Sequence, residues 1–361
     1  MPLGRAMNRR LMNRLALATI ATDAPMGAQK YETAVASRAA AALAATGRDW
    51  RVDRVVARSL RAGIDGTVRL PIGLLERGGP AARQLLGRIA YPRHTLVHRM
   101  SLTLPPARHE VVTLHDVVAW RYSDEGTPIA SAPQELRAAA AVVCVSQRTA
   151  DDAKEMFGLE NTRVIHLGVD DRFRNPEPLD AGMRDELGLR GRYVLHAGGA
   201  STRKNLGALA DAWRRVEGSL RDVTLVLSGP PDPRRFELFR GLPRVVFLGR
   251  VADGIVPGLI ASAEAVVVPS LYEGFGLPVL EAMAAGTPVI AANTSSLPEV
   301  AGDGAVLVDP TGDAVAEGIA AVLGGAIDRD GLILRGRVRA GEFTWERCAA
   351  EHAAIWNEFA S

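Results

Sequence analysis

Cysteine is nearly missing from this 361-residue chain: only Cys144 and Cys348 occur, each inside an apolar or helical pattern. That excludes a disulfide framework and offers no metal-ligand spacing, and it points to buried free thiols in a reducing compartment. Aromatic residues make up 5% and the formal net charge is +2. Both are too small for a nucleic-acid partner, which would need stacking surface and a basic excess. No window approaches the roughly 18 consecutive apolar residues of a membrane-spanning helix. No Gly-x-Gly-x-x-Gly follows the first predicted strand, and Gly274-Phe-Gly276 lacks a third glycine at the right offset, which argues against a nicotinamide-dependent oxidoreductase.

What is present is a soluble globular composition, 47% hydrophobic and 23% charged, long enough for two domains. The Gly count of 36 and Pro count of 21 suit an α/β protein with many turns. At the start, Arg5, Arg9, Arg10 and Arg14 precede the apolar run Leu15–Ile20. This pattern imitates a signal peptide, but the run is short and a glycine turn and helix follow in register. We read a basic tail feeding a first buried strand in a cytoplasmic protein; the arginines can also touch anionic lipid headgroups at a membrane face.

Apolar runs alternate with helical periodicity in both halves, as a doubly wound sheet requires. In the first half, strands are predicted at Leu15–Ile20, Trp50–Ala57, Thr95–His98, Glu110–Leu114, Ala141–Val145 and Arg163–His166. Pro25-Met-Gly27-Ala-Gln-Lys30 is predicted as a turn before a Tyr31–Ala45 helix. Residues 59–95 are poorly patterned, with one helix at Pro80–Ala90. Gly168–Gly182 holds Pro176 and Pro178 among charges and reads as a linker. Six further strands follow between Tyr193 and Val308, then three helical stretches.

The most informative stretch is Ala265–Gly286, AVVVPSLYEGFGLPVLEAMAAG. A buried-type strand runs straight into the turn Glu273-Gly274-Phe275-Gly276, and Leu277–Ala285 continues with helical spacing. Such a junction aims unpaired backbone N–H groups and the positive end of a helix dipole past the strand's carboxyl end, where an anion is favoured. Glu273 and Glu281, with seven residues between them, are placed to accept hydrogen bonds from hydroxyls at two ends of an extended ligand. Upstream, Gly198-Gly199-Ala-Ser-Thr-Arg203-Lys204-Asn205 follows the strand Tyr193–Ala197 and opens a helix. Two adjacent cations at a helix start oppose the dipole, so a polyanion such as a diphosphate accounts for them. His115 ends the predicted strand of VVTLHDVVAW, at the sheet edge where ligands of open α/β sheets sit.

The Glu-x7-Glu spacing with GFGLP inside it and AMAAGTPVI directly after it resembles the signature of group 1 (GT4-like) retaining glycosyltransferases, which adopt the GT-B fold. The resemblance implies two Rossmann-like domains facing each other across a cleft: residues 1–170 on the acceptor side, a linker at 171–182, and a nucleotide-sugar domain at 183–342. It also implies a terminal helix, 343–361, crossing back to the first domain. By the same resemblance Glu273 contacts the donor sugar and Glu281 the nucleotide ribose. Gly274, Phe275, Gly276 and Leu277 bring backbone to the sugar and diphosphate, as Gly199 does. Arg203 and Lys204 neutralise the departing diphosphate, and His115 contacts the donor sugar from the first domain. Gly27 stands in a loop facing donor phosphates or acceptor, where the family usually has two adjacent glycines and this chain has one. Arg250 and Val251 resemble the segment lining the base pocket, and Glu299 in SSLPEV matches a frequent family element with a structural role equally open.

The implied activity is transfer of a sugar from a nucleotide diphosphate to an acceptor hydroxyl with retention at the anomeric carbon. No cofactor and no metal are expected: the only Asp-x-Asp, Asp328-Arg-Asp330, does not look like a strand-end metal motif. HDVVAW resembles mannosyltransferases, so GDP-mannose is the first candidate donor and a UDP-sugar the second. The acceptor is a sugar, a lipid-linked glycan or a small molecule. A GT-B nucleotide-sugar epimerase or phosphorylase, and a catalytically silent nucleotide-sugar binding protein, stay open as alternatives.

Overall fold

Short runs of β-branched and small apolar residues, buried on both faces in the central strands, build two parallel sheets. The structure, a computed structural model, describes residues 12–22, 27–60, 63–91 and 96–360. Arg5, Arg9, Arg10, the Pro25-Met26 part of the expected turn and Thr95 lie outside the described residues. The first sheet contains β1 (Asn13–Ile20), β2 (Trp50–Ser59), β3 (Val68–Leu70), β4 (Leu96–Arg99), β5 (Glu110–Leu114), β6 (Ala141–Cys144) and β7 (Thr162–Val164). The second contains β8 (Arg192–Ala197), β9 (Val223–Ser228), β10 (Val245–Gly249), β11 (Ala265–Val268), β12 (Val289–Ala292) and β13 (Val306–Val308).

The strand orders are β3-β2-β1-β4-β5-β6-β7 and β10-β9-β8-β11-β12-β13. Each sheet therefore reverses direction once, between β1 and β4 in the first and between β8 and β11 in the second. Ligands of such sheets bind beyond the strand carboxyl ends at these switch points. The segments after β8 and β11, which contain Gly199 and Glu273, start from the second switch point, and His115 follows β5 one strand away from the first.

The terminal helix Trp345–Glu358 lies against the Gly27–Ala44 helix of the first lobe. Arg38 Nε donates to Glu346 at 2.8 Å, and Trp50 Nε1 to Asn357 at 2.9 Å. At its centre a buried polar chain runs from Trp356 Nε1 to His98 Nδ1 (3.2 Å), from His98 to Thr113 (2.8 Å), and from Thr113 through the Tyr31 hydroxyl (3.0 Å) to His352 (2.8 Å). One apolar core continues from Leu15, Tyr31 and Val35 through Val169 and Phe173 to Phe275, Val279 and Trp356, so packed side chains join the two lobes.

Two expectations need correction. Gly27, Ala28, Gln29 and Lys30 are not a turn; they form the first turn of the Gly27–Ala44 helix. The poorly patterned 59–95 region holds β3 and two helices, Ile72–Arg77 and Pro80–Ala90.

Candidate active site

Glu273 follows β11 in a turn where Gly276, at φ 113°, caps the helix Leu277–Ala285. That φ is costly for any residue but glycine. Three serines fix the turn: the Ser295 hydroxyl donates to the Glu273 carbonyl at 2.8 Å, the single Ser296 hydroxyl hydrogen is shared between the Phe275 and Glu273 carbonyls at 2.7 and 2.9 Å, and the Ser270 hydroxyl donates to Glu273 Oε1 at 2.7 Å. The Glu273 side chain meets both predicted cations. Lys204 Nζ lies 2.6 Å from Oε1 and Arg203 Nη1 2.9 Å from Oε2. Burial alone would push this carboxyl up, but Lys204, Arg203 and Ser270 outweigh it and hold it down to about 2.

The cations themselves sit differently from the sequence expectation. Thr202–Lys204 is a single 3-10 turn, and the α-helix starts only at Leu206, after Asn205 in left-handed conformation. Arg203 also reaches the first lobe, with Nε 2.5 Å from Glu125 Oε1. Asp124, next to it, accepts from the Thr202 N–H at 2.8 Å and from Arg234 at 2.6 Å. An acidic loop of the first lobe thus clasps the cationic turn of the second.

His115 stands at the same junction. Its Nε2 is 3.1 Å from the Met100 carbonyl, and Tyr31 packs edge-on at 5.1 Å. A carbonyl only accepts, so Nε2 carries the hydrogen and Nδ1 keeps its lone pair. Burial pulls His115 down to about 4, which leaves the ring neutral at pH 7. Gly274 allows the close approach of the lobes: a Cβ there would collide with the His115 carbonyl and lie 3.0 Å from Asp116 Cβ. Ser146 Oγ donates to the Gly274 carbonyl at 2.6 Å.

Glu281 sits apart from Glu273 and pairs with Lys30 of the first lobe, Nζ to Oε1 3.2 Å. Burial raises its carboxyl and Lys30 offsets only part of that. Together they line a cavity of about 410 Å³ with Leu277, Asp253 and Arg172. Gly27 packs at this seam, where a Cβ would be 3.3 Å from the Leu277 side chain. Gly199 lies in the loop after β8, with nothing within 4 Å of an added Cβ.

The Phe275 side chain is core, packed on His166 and Phe343 at 5.9 and 5.8 Å between centroids, so only its backbone faces the turn. Val251 packs on the core and Arg250 is exposed; neither contacts the Glu273 cluster. Glu299 ties the lobes, accepting from the Gln147 and Arg148 N–H groups at 2.7 and 3.3 Å and from His166 at 2.6 Å. Sequence reading missed Glu125, Asp124 and the pairing role of Lys30. These are charged loop or helix residues whose partners lie on the other lobe, so spacing carries no signal of them. Among the described residues no group of three or more His, Cys, Asp or Glu could hold a metal ion.

Residues 191–324, which include Gly199, Arg203, Lys204, Glu273 and Glu281, match the family described as Glycosyl transferases group 1. The O-antigen chain mannosyltransferase B of Escherichia coli is 30% identical over 284 residues, covering 72% of this chain and 71% of that protein. The chain belongs to the group 1 glycosyltransferases. A second relative, the MMP alpha-(1->4)-mannosyltransferase of Mycolicibacterium hassiacum, is 35% identical over 231 residues, 60% of this chain. That match spans 54% of the relative's own length. Sucrose-phosphate synthase from Thermosynechococcus elongatus superposes with a TM-score of 0.74 at 23% identity, over 96% of this chain and 98% of that one. Anabaena HepE, solved in complex with UDP and glucose, gives 0.72 at 20% identity over 96% and 100%. These likenesses establish the GT-B fold expected of a group 1 enzyme, two facing Rossmann-like sheets. No helix among the described residues is long and apolar enough to cross a membrane.

Proposed function

We propose that the chain is a retaining, metal-independent hexosyltransferase. The reaction forms a bond from an acceptor oxygen to the anomeric carbon, breaks the bond from that carbon to the nucleoside diphosphate, and releases the hydroxyl proton. The difficulty is charge gathering on the departing diphosphate, so preorganised cations contribute most. The observation that carries this reading is the Arg203–Lys204–Glu273 cluster: two cations held by one ionised carboxylate at the lobe junction, which would meet the charge of a departing diphosphate. Neutral His115 approaches from the other lobe as a hydrogen-bonding group for the sugar, and Glu281 would accept from the ribose once Lys30 yields.

For the donor we propose GDP-mannose, with a UDP-sugar second. A Mycobacterium tuberculosis relative, 34% identical over 223 residues, is a GDP-mannose-dependent mannosyltransferase by name, and HepE is seen with UDP. The first lobe would hold the acceptor and the second the nucleotide sugar. The free buried thiols Cys144 and Cys348 support a cytoplasmic setting.

The test is a thermal-shift panel of GDP, UDP and dTDP, followed by turnover with the matching nucleotide sugar in EDTA. A ligand at 100 times its Kd adds ~2.7 kcal/mol to stability, so the right base stands out. Proton NMR of the product should show the donor's anomeric configuration. An inverted product, or activity strictly dependent on Mn²⁺, would overturn the proposal.

A further inference from the structure

Beside His115 the first lobe encloses a cavity of about 520 Å³, within the ~300–1,000 Å³ typical of small-molecule sites. His115 and Asp116 form the wall toward the Glu273 turn, so a molecule in the cavity lies next to the place where the donor sugar is expected. Ser101, Thr103 and Thr127 line it as well, and half-buried Trp120, braced edge-on by Phe157 at 5.0 Å, gives it an aromatic wall. One oxygen of Asp116 accepts from the Val118 N–H at 3.1 Å. No other hydrogen bond to this carboxylate is formed among the described residues, which leaves acceptor capacity for a ligand.

The charges on this wall are unequal. Glu76 and Arg77 are both exposed at the rim and offset each other, His115 is neutral, and Asp116 is a half-buried acid whose carboxyl is raised by burial. Arg203 and Lys204 do not line the cavity. A phosphate in the cavity would face the Asp116 carboxyl with no buried cation to meet it. Hydroxyls suit it better, since a carboxylate and side-chain hydroxyls accept from them while an indole face covers a ring's C–H surface.

Resting on the transferase reading, we propose that this cavity is the acceptor subsite and that it takes a neutral, hydroxyl-rich glycoside rather than a phosphate-bearing one, with Asp116 accepting a hydrogen bond from the acceptor and Trp120 covering its ring. Asp116 and Trp120 are thereby specificity-determining residues of the acceptor side.

The full chain is assayed with GDP-mannose, and with UDP-glucose if GDP-mannose is not consumed. Methyl α-mannoside and mannose 6-phosphate serve as paired acceptors, and donor consumption is followed separately from acceptor product. We expect the neutral acceptor to have a KM at least ~10-fold below that of the phosphate, as loss of a hydrogen bond to a charged group implies. Asp116→Asn and Trp120→Ala should each raise the acceptor KM by ~10-fold or more, with donor KM within about twofold of wild type. Should either variant not fold, saturation-transfer NMR on the wild-type chain with nucleoside diphosphate present gives the same answer, with ring-proton signals from methyl α-mannoside and none from mannose 6-phosphate. Preference for the phosphate, or variants with unchanged acceptor KM, overturns the inference while donor consumption keeps the transferase standing. A chain that consumes neither donor and is stabilised by no nucleotide overturns both.

Discussion

Lys204 and Glu273 sit 2.6 Å apart at the lobe junction, 9% and 6% exposed, so the cation and the carboxylate are buried together and neither is solvated without the other. Breaking such a pair by removing one partner costs about 3–5 kcal/mol, because the survivor is left unpaired. Glu273→Ala should therefore lose stability as well as turnover. Glu273→Gln, which keeps the shape and removes the charge, should lose less of the first. Urea denaturation of the two variants beside wild type distinguishes them, and equal stability of all three would contradict the pairing.

Gly274 sets how closely the lobes approach. Gly274→Ala forces the His115 backbone away, and overpacking of this kind costs about 1–3 kcal/mol. The expected loss in kcat/KM is roughly 5- to 150-fold. Gly199→Ala meets no protein atom within 4 Å, so the free chain should keep its Tm while nucleotide binding weakens. An unaltered kcat/KM for Gly274→Ala would show that the observed closure is not used in turnover.

Acid should draw on the stability that the buried neutral histidines contribute. Burial lowers His115 and His196 to about 4 and His352 to about 3, from an ordinary 6.5. A histidine with a depressed folded value binds its proton more readily unfolded. The stability it contributes is complete above pH 6.5 and is lost as pH falls toward the folded value, roughly 2 kcal/mol for each by pH 5. Glu273 is expected to keep its charge throughout this window. Glu32, pushed up to about 8 by burial, works in the opposite sense and gains stability as pH falls below that value, so the rings are followed directly: an NMR titration should show His115, His196 and His352 still neutral at pH 5, and charging of these rings near pH 6.5 would contradict their burial.

Glu125 competes with any anion for Arg203. Glu125→Gln removes a negative charge 2.5 Å from that guanidinium, so nucleoside diphosphate should bind more tightly by about 1 kcal/mol or less. Isothermal titration with the preferred diphosphate checks this; weaker binding would mean that Glu125 orders Arg203 for the ligand.

Much of the fold was legible because its central strands are buried on both faces. Glu110–Leu114 forms a strand with the predicted bounds, and every residue in it and in Ala265–Val268 is buried. The 59–110 region resisted for the opposite reason. Its core contains charges: Arg83 and Arg99 are 0% exposed and pair with Glu135 and Glu110 at 2.6 to 3.0 Å, which breaks the apolar periodicity that reveals buried elements. Gly27 misled for a third reason, since a glycine opening a helix looks like a turn when no capping side chain follows. In the site, motif blocks located Glu273, Arg203 and Lys204. The Lys30–Glu281 and Glu125–Arg203 pairs join residues 251 and 78 positions apart and exist only when the lobes meet.

The most direct measurement is the turnover of the preferred nucleotide sugar by Lys204→Ala beside wild type. Loss of one preorganised charge donor at the leaving group predicts a fall of ~10²–10³ in kcat, insensitive to EDTA in both proteins. A variant that turns over the donor at the wild-type rate would contradict the assignment of the Arg203–Lys204–Glu273 cluster as the diphosphate-stabilising site.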